Sequence, residues 1–299
     1  MKKYLYNFVI AALILMSATV VNASNEVYYT NNQNIEMTEQ EYNNLLGLGF
    51  TERQISNMDQ DEFLANKDIE GAVLGTGTKY YKYTTVMRNG IETKFVTEIT
   101  EEEALEEQER QSHNIPTRGP VGSYYDGASS TYVLEIRTKI IGVNNTYMRY
   151  KIDSEWLIMP SYRYYDIIGI GFESNKVEIA SVIVFKESWR TTSDEYGYDI
   201  SCYPKTESTG GSAIMQLPSG SMQFIDSYLY FNVRKKDNVG TITQLSMCGD
   251  YAHAASSVDP NTLFNHYNVF LAGGIYIDYP YDLDYDDMMP ACASFVGTW

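Results

Sequence analysis

Apolar and polar residues alternate with a period of two through most of the second half of the chain. Over 131–141, Tyr132, Leu134, Ile136 and Ile140 fall on one face and Glu135, Arg137 and Lys139 on the other, which is the spacing of a strand with one buried side. Met148, Tyr150 and Ile152 repeat the device against Tyr147, Arg149 and Lys151, and Leu229, Phe231 and Val233 repeat it against Tyr228, Asn232 and Arg234. Strands of this kind belong to antiparallel sheets with one solvated face. Two segments, 166–172 (DIIGIGF) and 177–185 (VEIASVIVF), are apolar on nearly both faces. With Ser174-Asn175-Lys176 between them they are predicted to form a central hairpin. Further strands are predicted near 196–203, 239–247, 267–277 and 291–299. So many short strands in about 180 residues point to a mainly β fold, an antiparallel β-sandwich of Ig-like or jelly-roll-like form, with a barrel as the alternative.

The first half is punctuated differently. Thr38 stands three residues before Glu41, and Asp59 three before Glu62, so each pair offers a helix cap and a carboxylate able to reach back to it. Leu45, Leu46, Leu48, Phe50, Ile55 and Met58 supply apolar contacts, and Gly47 and Gly49 let the chain leave the first helix through positive φ. A polar hairpin is predicted over 79–97 around Asn89-Gly90, the favoured pair for a two-residue turn. Thr100 then caps an acidic helix whose apolar face is limited to Ala104 and Leu105. Pro116, Gly119, Pro120 and Gly122 mark a connector. The predicted organisation is an export signal at 1–23, a disordered leader at 24–36, a small helical and hairpin region at 37–110, a linker at 111–123 and a β-sandwich domain at 124–299.

The export signal rests on Lys2 and Lys3, the apolar run Phe8–Met16 and the small residues around Val21-Asn22-Ala23. No later segment has 18 uninterrupted apolar residues, so no membrane span is expected in the mature form. Loss of the two lysines takes the net charge from −17 to about −19, which argues against nucleic acid or an anionic lipid surface as partner. Cys202, Cys248 and Cys292 allow one disulfide in any of three pairings, and their spacing matches no zinc motif.

Catalytic signatures are missing: there is no Gly-x-Ser-x-Gly, His-Glu-x-x-His, phosphate loop or Cys-x-x-Cys. Cys248 and His253 are a weak nucleophile and base pair, and packing is the plainer role for both. An acid pair for polymer hydrolysis could be drawn from 39 acidic residues in too many ways to single one out. The densest chemical feature is DYPYDLDYDD at 278–287, where Asp278, Asp282, Asp284 and Asp286, with Asp287, could offer oxygens to calcium. It is not an EF-hand, because Asp287 stands where Gly is needed and Ala293 where the bidentate Glu is needed; a solvated acidic loop is the plainer alternative. Nineteen of the 27 tyrosines lie beyond residue 120. Tyr147, Tyr228 and Tyr230 fall on predicted polar faces, where flat rings could stack on sugars; tyrosine's ordinary preference for strands is the competing explanation.

The second half resembles a group of uncharacterised exported proteins of Gram-positive bacteria with a C-terminal β-rich domain. The likeness rests on Trp156-Leu157-Ile158-Met159-Pro160, on Arg163-Tyr164-Tyr165-Asp166-Ile167-Ile168-Gly169-Ile170-Gly171, on Tyr251-Ala252-His253-Ala254 and on Tyr285-Asp286-Asp287-Met288. No activity is established for that group, so the resemblance implies an extracellular address and no mechanism. The expected function is that of a secreted, non-catalytic interaction module at or near the cell surface, with a glycan or protein ligand. The alternative is a cell-envelope or host-polymer hydrolase using an acidic pair. No cofactor other than Ca2+ is in view.

Overall fold

A computed structural model describes residues 26–89, 91–113, 129–161, 163–199, 202–254, 259–270, 274–277, 285–286 and 290–299. The predicted export signal and most of the predicted linker lie outside them. The chain opens with two short paired strands, β1 (Tyr29–Thr30) and β2 (Glu36–Met37), so the expected leader at 24–36 is structured from Tyr29 onward. Its anchor is Asn31, buried, whose amide donates to the carbonyls of Ile55 and Met58 and whose oxygen accepts from the backbone of Gln33 and Ile35. That side chain satisfies backbone groups no strand partner reaches.

Three helices follow: α1 (Glu39–Gly47), α2 (Glu52–Asn57) and α3 (Gln60–Asn66). Thr38 with Glu41 and Thr51 with Gln54 form reciprocal capping boxes. At α3 the predicted box is only half made. Asp59 accepts from the backbone of Glu62, but the Glu62 carboxylate turns away to take the Tyr228 hydroxyl at 2.6 Å. Gly49 has φ 76°, as expected; Gly47 does not have positive φ and is needed for a different reason, because a Cβ there would stand 2.4 Å from the Gly71 carbonyl oxygen.

The long hairpin β3 (Ala72–Arg88) and β4 (Ile91–Ile99) precedes α4 (Glu101–His113), and the remaining chain gives β5 (Ser129–Gly142), β6 (Tyr147–Ile158), β7 (Tyr165–Phe172), β8 (Val177–Ile179), β9 (Val184–Thr191), β10 (Tyr196–Asp199), β11 (Cys202–Thr206), β12 (Gly210–Gln216), β13 (Met222–Lys235), β14 (Gln244–Ala254), α5 (Pro260–Phe264), β15 (Tyr267–Phe270), β16 (Gly274–Ile277), β17 (Tyr285–Asp286) and β18 (Ala291–Val296). One antiparallel sheet runs β10-β9-β13-β6-β5-β3-β4, with β8 also on β13; the other runs β11-β12-β7-β14, with β17 and β18 both beside β14. The fold is an antiparallel β-sandwich. Its core takes Tyr132, Leu134, Ile136, Met148, Tyr150, Ile152, Leu229, Phe231 and Val233 from the first sheet and Ile168, Ile170, Ala213, Met247 and Tyr251 from the second, so the period-two faces are the faces that meet.

Two expectations of organisation are corrected. The boundary at 111–123 does not separate two packing units, because β3 pairs with β5 over fourteen registered positions and carries β4 into the same sheet. The segments 166–172 and 177–185 do not form a hairpin. β7 lies between β12 and β14 in the second sheet, whereas β8 and β9 pair with β13 in the first. A strand apolar on both faces needs cover on both, and β7 has it: Ile168 and Ile170 face the core, while Ile167 packs with Tyr267, Val269 and Ile275 of β15 and β16 on the outer side.

The edge of the sandwich is closed where β18 crosses β3. A Cβ at Gly77 would lie 2.0 Å from the carbonyl oxygen of Cys292, and one at Gly75 would lie 2.2 Å from that of Ser294, so only glycine permits the approach. Cys248 and Cys292 stand opposite each other in the β14–β18 register and are joined by a disulfide spanning 44 residues; Cys202 is the remaining cysteine. Helix α4 buries Ala104 but leaves Leu105 exposed. Its narrow apolar face is supplemented by polar ties from Lys82 to Glu107, from Gln108 to the Leu157 carbonyl and from Gln111 to the Thr131 carbonyl.

Candidate ligand cleft

The outer face of the first sheet is the face whose residues alternate as polar. It is not solvated, because β1, β2 and α1–α3 lie on it. Tyr228 and Tyr230 are 4% and 6% exposed, with the Phe50 ring edge-on to both at 5.8 Å, so neither can present a ring to a sugar. Tyr147, the third predicted ligand residue, is half-buried at the far end of β6, and no shared surface brings the three together.

What the helices cover is a grid of charges. Asp153 and Lys151 are fully buried neighbours on β6 and form an ion pair; Lys139 Nζ lies 3.0 Å from the other Asp153 oxygen. Gln54 of α2 reaches down between them, donating to Asp153 at 2.7 Å and to Asp226 at 3.2 Å, and accepting from Lys151 at 2.9 Å. Arg149 donates to Asn66 of α3 and lies 4.3 Å over the Tyr230 ring. Burial raises the Asp153 carboxyl, but Lys151, Lys139 and Arg137 outweigh it and hold it below its ordinary range. Asp226 goes the other way: burial first, then the negative charges of Glu155 and Asp153, push it up to about 7. Burial also draws Lys151 down to about 8 against the pull of Asp153.

Along one margin of this cover the helices and the sheet leave an open cleft of about 520 Å3. Its helical wall is Glu52, Arg53, Ser56 and Asn57 of α2 with Tyr29 and Asn32; its sheet wall is Glu155 and Trp156 of β6, Arg190 of β9, Tyr196 of β10, and Gln223 and Phe224 of β13, with Gln108 of α4 at one end. The aromatic rings are braced by cations. Arg53 stands 4.6 Å over Phe224, Arg190 stands 4.8 Å over Tyr196, and the two rings are 6.4 Å apart. This ladder follows from the register, since Arg190 is paired with Tyr196 on one side and with Phe224 on the other. Each guanidinium also has a carboxylate, Arg53 with Glu155 and Arg190 with Asp194 at 2.8 Å. Tyr196 is 50% exposed. A third ring, Tyr29, is held 5.2 Å from Tyr42. The arrangement offers flat apolar faces between amide and guanidinium hydrogen-bonding groups.

Apart from Trp156, which belongs to a motif of the resemblance, none of these cleft residues is singled out by the sequence patterns. The one local signal is the turn Thr191–Glu195, where Asp194 has φ 67° and folds β10 back on β9, bringing Tyr196 beside Arg190. Of the predicted calcium residues, Asp278, Asp282 and Asp284 lie outside the described residues. Asp286 lies on β17 opposite His253 in register. Among the described residues no three His, Cys, Asp or Glu side chains converge as a metal site. The Cys248 and His253 pair is not a nucleophile and base, because Cys248 is bridged to Cys292. His253 is buried, its Nδ1 2.9 Å from Asp166, which also accepts from the Tyr251 hydroxyl and the Ala254 backbone. The rings of Trp156, Tyr132 and Tyr83 enclose it at 5.0, 5.7 and 6.0 Å.

No family model and no curated protein matches this sequence. Among solved structures the chain is similar to the RrgA Jo.In complex, at 8% identity over 59% of this chain and 90% of that one with a TM-score of 0.30. It is also similar to the C-terminal domain of the Streptococcus agalactiae AgI/II polypeptide BspA, at 7% identity over 58% and 80% with a TM-score of 0.25. Likeness of this degree carries no inference about ligand or partner. Among the described residues no helix is long and apolar enough to cross a membrane.

Proposed function

We propose that this is a secreted interaction module of the bacterial surface whose ligand, a glycan, is held in the cleft between the helical cover and the β9–β10–β13 margin of the sandwich. The observation that carries the proposal is the pair of rings, Phe224 and Tyr196, backed by Arg53 and Arg190 in an open cleft rimmed by Asn32, Asn57, Gln108 and Gln223. Sugar rings present C–H faces that pack on aromatic rings and hydroxyls that exchange hydrogen bonds with amides and guanidiniums, and the cleft supplies both on a preformed scaffold. The signal-like first 23 residues and the resemblance to exported Gram-positive proteins support the extracellular setting.

The test is co-sedimentation of the purified protein with isolated Gram-positive cell walls and insoluble polysaccharides. The protein is expected in the pellet and is released by soluble fragments of the same glycan. Tyr196→Ala, which removes a half-exposed ring, weakens binding by about tenfold or more, as loss of a central aromatic contact does. Tyr203→Ala, on the other sheet and 38% exposed, leaves it unchanged. Recovery of the wild-type protein in every supernatant, or equal pelleting of Tyr196→Ala, rejects the glycan reading. A hydrolytic reading has one observation in its favour, that Glu52 and Glu155 line the same cleft. Release of reducing ends from a polysaccharide, abolished in Glu155→Gln, would establish it in place of simple binding.

A further inference from the structure

Among the described residues the first sheet ends at β4, which is hydrogen-bonded to β3 on one side only. A long strand with a free edge invites pairing, and proteins commonly blunt such edges. β10, at the opposite end, has four residues, and β11, an edge of the second sheet, carries Pro204, which has no N–H to donate. β4 has nine residues and no proline. Its sequence, Ile91-Glu92-Thr93-Lys94-Phe95-Val96-Thr97-Glu98-Ile99, reads the same in both directions about Phe95 except at 94 and 96. Thr93, Phe95 and Thr97 are exposed, Phe95 by 54%. The register sets Phe95 and Thr97 opposite Thr84 and Lys82 of β3.

We propose that β4 is the surface through which two copies of this chain join, antiparallel and centred on Phe95, so that two large sheets become one. A second copy laid antiparallel about Phe95 opposes Thr93 with Thr97 and Phe95 with its own counterpart, which are β-branched and aromatic pairs of the kind that stabilise adjacent strands. The interface is isologous and closes after two copies. The charges set its strength. Glu98 is taken up by Lys79 of β3 at 2.8 Å, so the repulsion between copies comes from their net charge, −17 for the full chain. Repulsion therefore keeps the pair weak at low ionic strength, and salt screens it.

Sedimentation velocity over a concentration series is expected to show monomer giving way to dimer, with the dissociation constant falling as sodium chloride is raised. Phe95→Lys sets two ammonium groups against each other on the two-fold axis and weakens the dimer by about tenfold or more. In a Cys202→Ser background, Phe95→Cys places two thiols on the axis and yields a disulfide-linked dimer on oxidation. Thr97→Cys, which faces Thr93 of the second copy, does not. Circular dichroism of each variant separates loss of pairing from loss of fold. Wild-type protein that remains monomeric at millimolar concentration in low and high salt, or a Phe95→Cys chain that cross-links no faster than Thr97→Cys, overturns the proposal.

Discussion

Asp153→Asn destabilises the protein by about 3–5 kcal/mol, while Asp226→Asn, two strand positions away on the neighbouring strand, makes it more stable above neutral pH. The first result follows from what Asp153 neutralises. It is fully buried between Lys151, also fully buried, and Lys139, with Arg137 adding to the field. Removing one member of such a buried set leaves the others uncompensated, and that cost, not the worth of the pair itself, is what the variant measures. The second result follows from an imbalance. Asp226 is buried, faces Glu155, Asp153 and Arg137, and has the Gln54 amide on one oxygen while the other has no partner.

The pH dependence has two limbs. The Asp153 carboxyl is held below its ordinary range when folded, so its contribution is present above about pH 4 and disappears as pH falls below that. Asp226 is raised to about 7 when folded, so it opposes folding increasingly as pH climbs from about 4 to 7, by on the order of 4 kcal/mol, and no further above that. Glu62 and Glu135, both raised chiefly by burial, act in the same direction. Urea midpoints are therefore expected to peak near pH 4 to 5 and to decline toward pH 8, with the decline reduced in Asp226→Asn. A wild-type profile flat from pH 4 to 8, or an Asp226→Asn profile that falls as steeply as the wild type, would remove the basis for this account.

Gly77→Ala destabilises by about 3 kcal/mol, at the upper end of overpacking costs. The new methyl would meet a strand carbonyl at 2.0 Å, and a backbone atom in a paired strand cannot swing aside as a flexible side chain can. Gly75→Ala has the same sign for the same reason. Gly240→Ala, where nothing lies within 4 Å, is the matched control and stays within about 0.5 kcal/mol of wild type. Thermal unfolding of the three variants side by side checks it; a Gly77→Ala transition coincident with Gly240→Ala would mean that β18 does not press on β3.

Half of the sandwich was legible from alternation alone. Leu229, Phe231, Val233 and their counterparts on β5 and β6 announce a buried face, because a period of two sets every apolar side chain on one side of the strand. The cover on the opposite face is not legible in this way, for a physical reason. Arg149, Lys151 and Asp153 look like solvent residues in sequence, and the Gln54, Asn66 and Phe50 side chains that cover them lie about a hundred residues earlier. The burial of Tyr228 and Tyr230 is hidden by the same separation along the chain. The pairing of β7 was illegible because a strand apolar on both faces looks alike whether its neighbour in sequence pairs with it or crosses to the other sheet. The cleft left the weakest trace, since it is assembled from single residues on α2, β9, β10 and β13 whose only common property is the register that aligns them.

The disulfide also decides what a cut in the chain can release. Cys248 and Cys292 fasten β14 to β18, and the 44-residue excursion between them carries α5 and β15–β17. A peptidase that cuts anywhere between residues 249 and 291 therefore severs the backbone without releasing the last strand, which stays moored over Gly75 and Gly77. Nicked protein should run as one species on a non-reducing gel and as two after reduction, and the sandwich should outlast the integrity of its own chain.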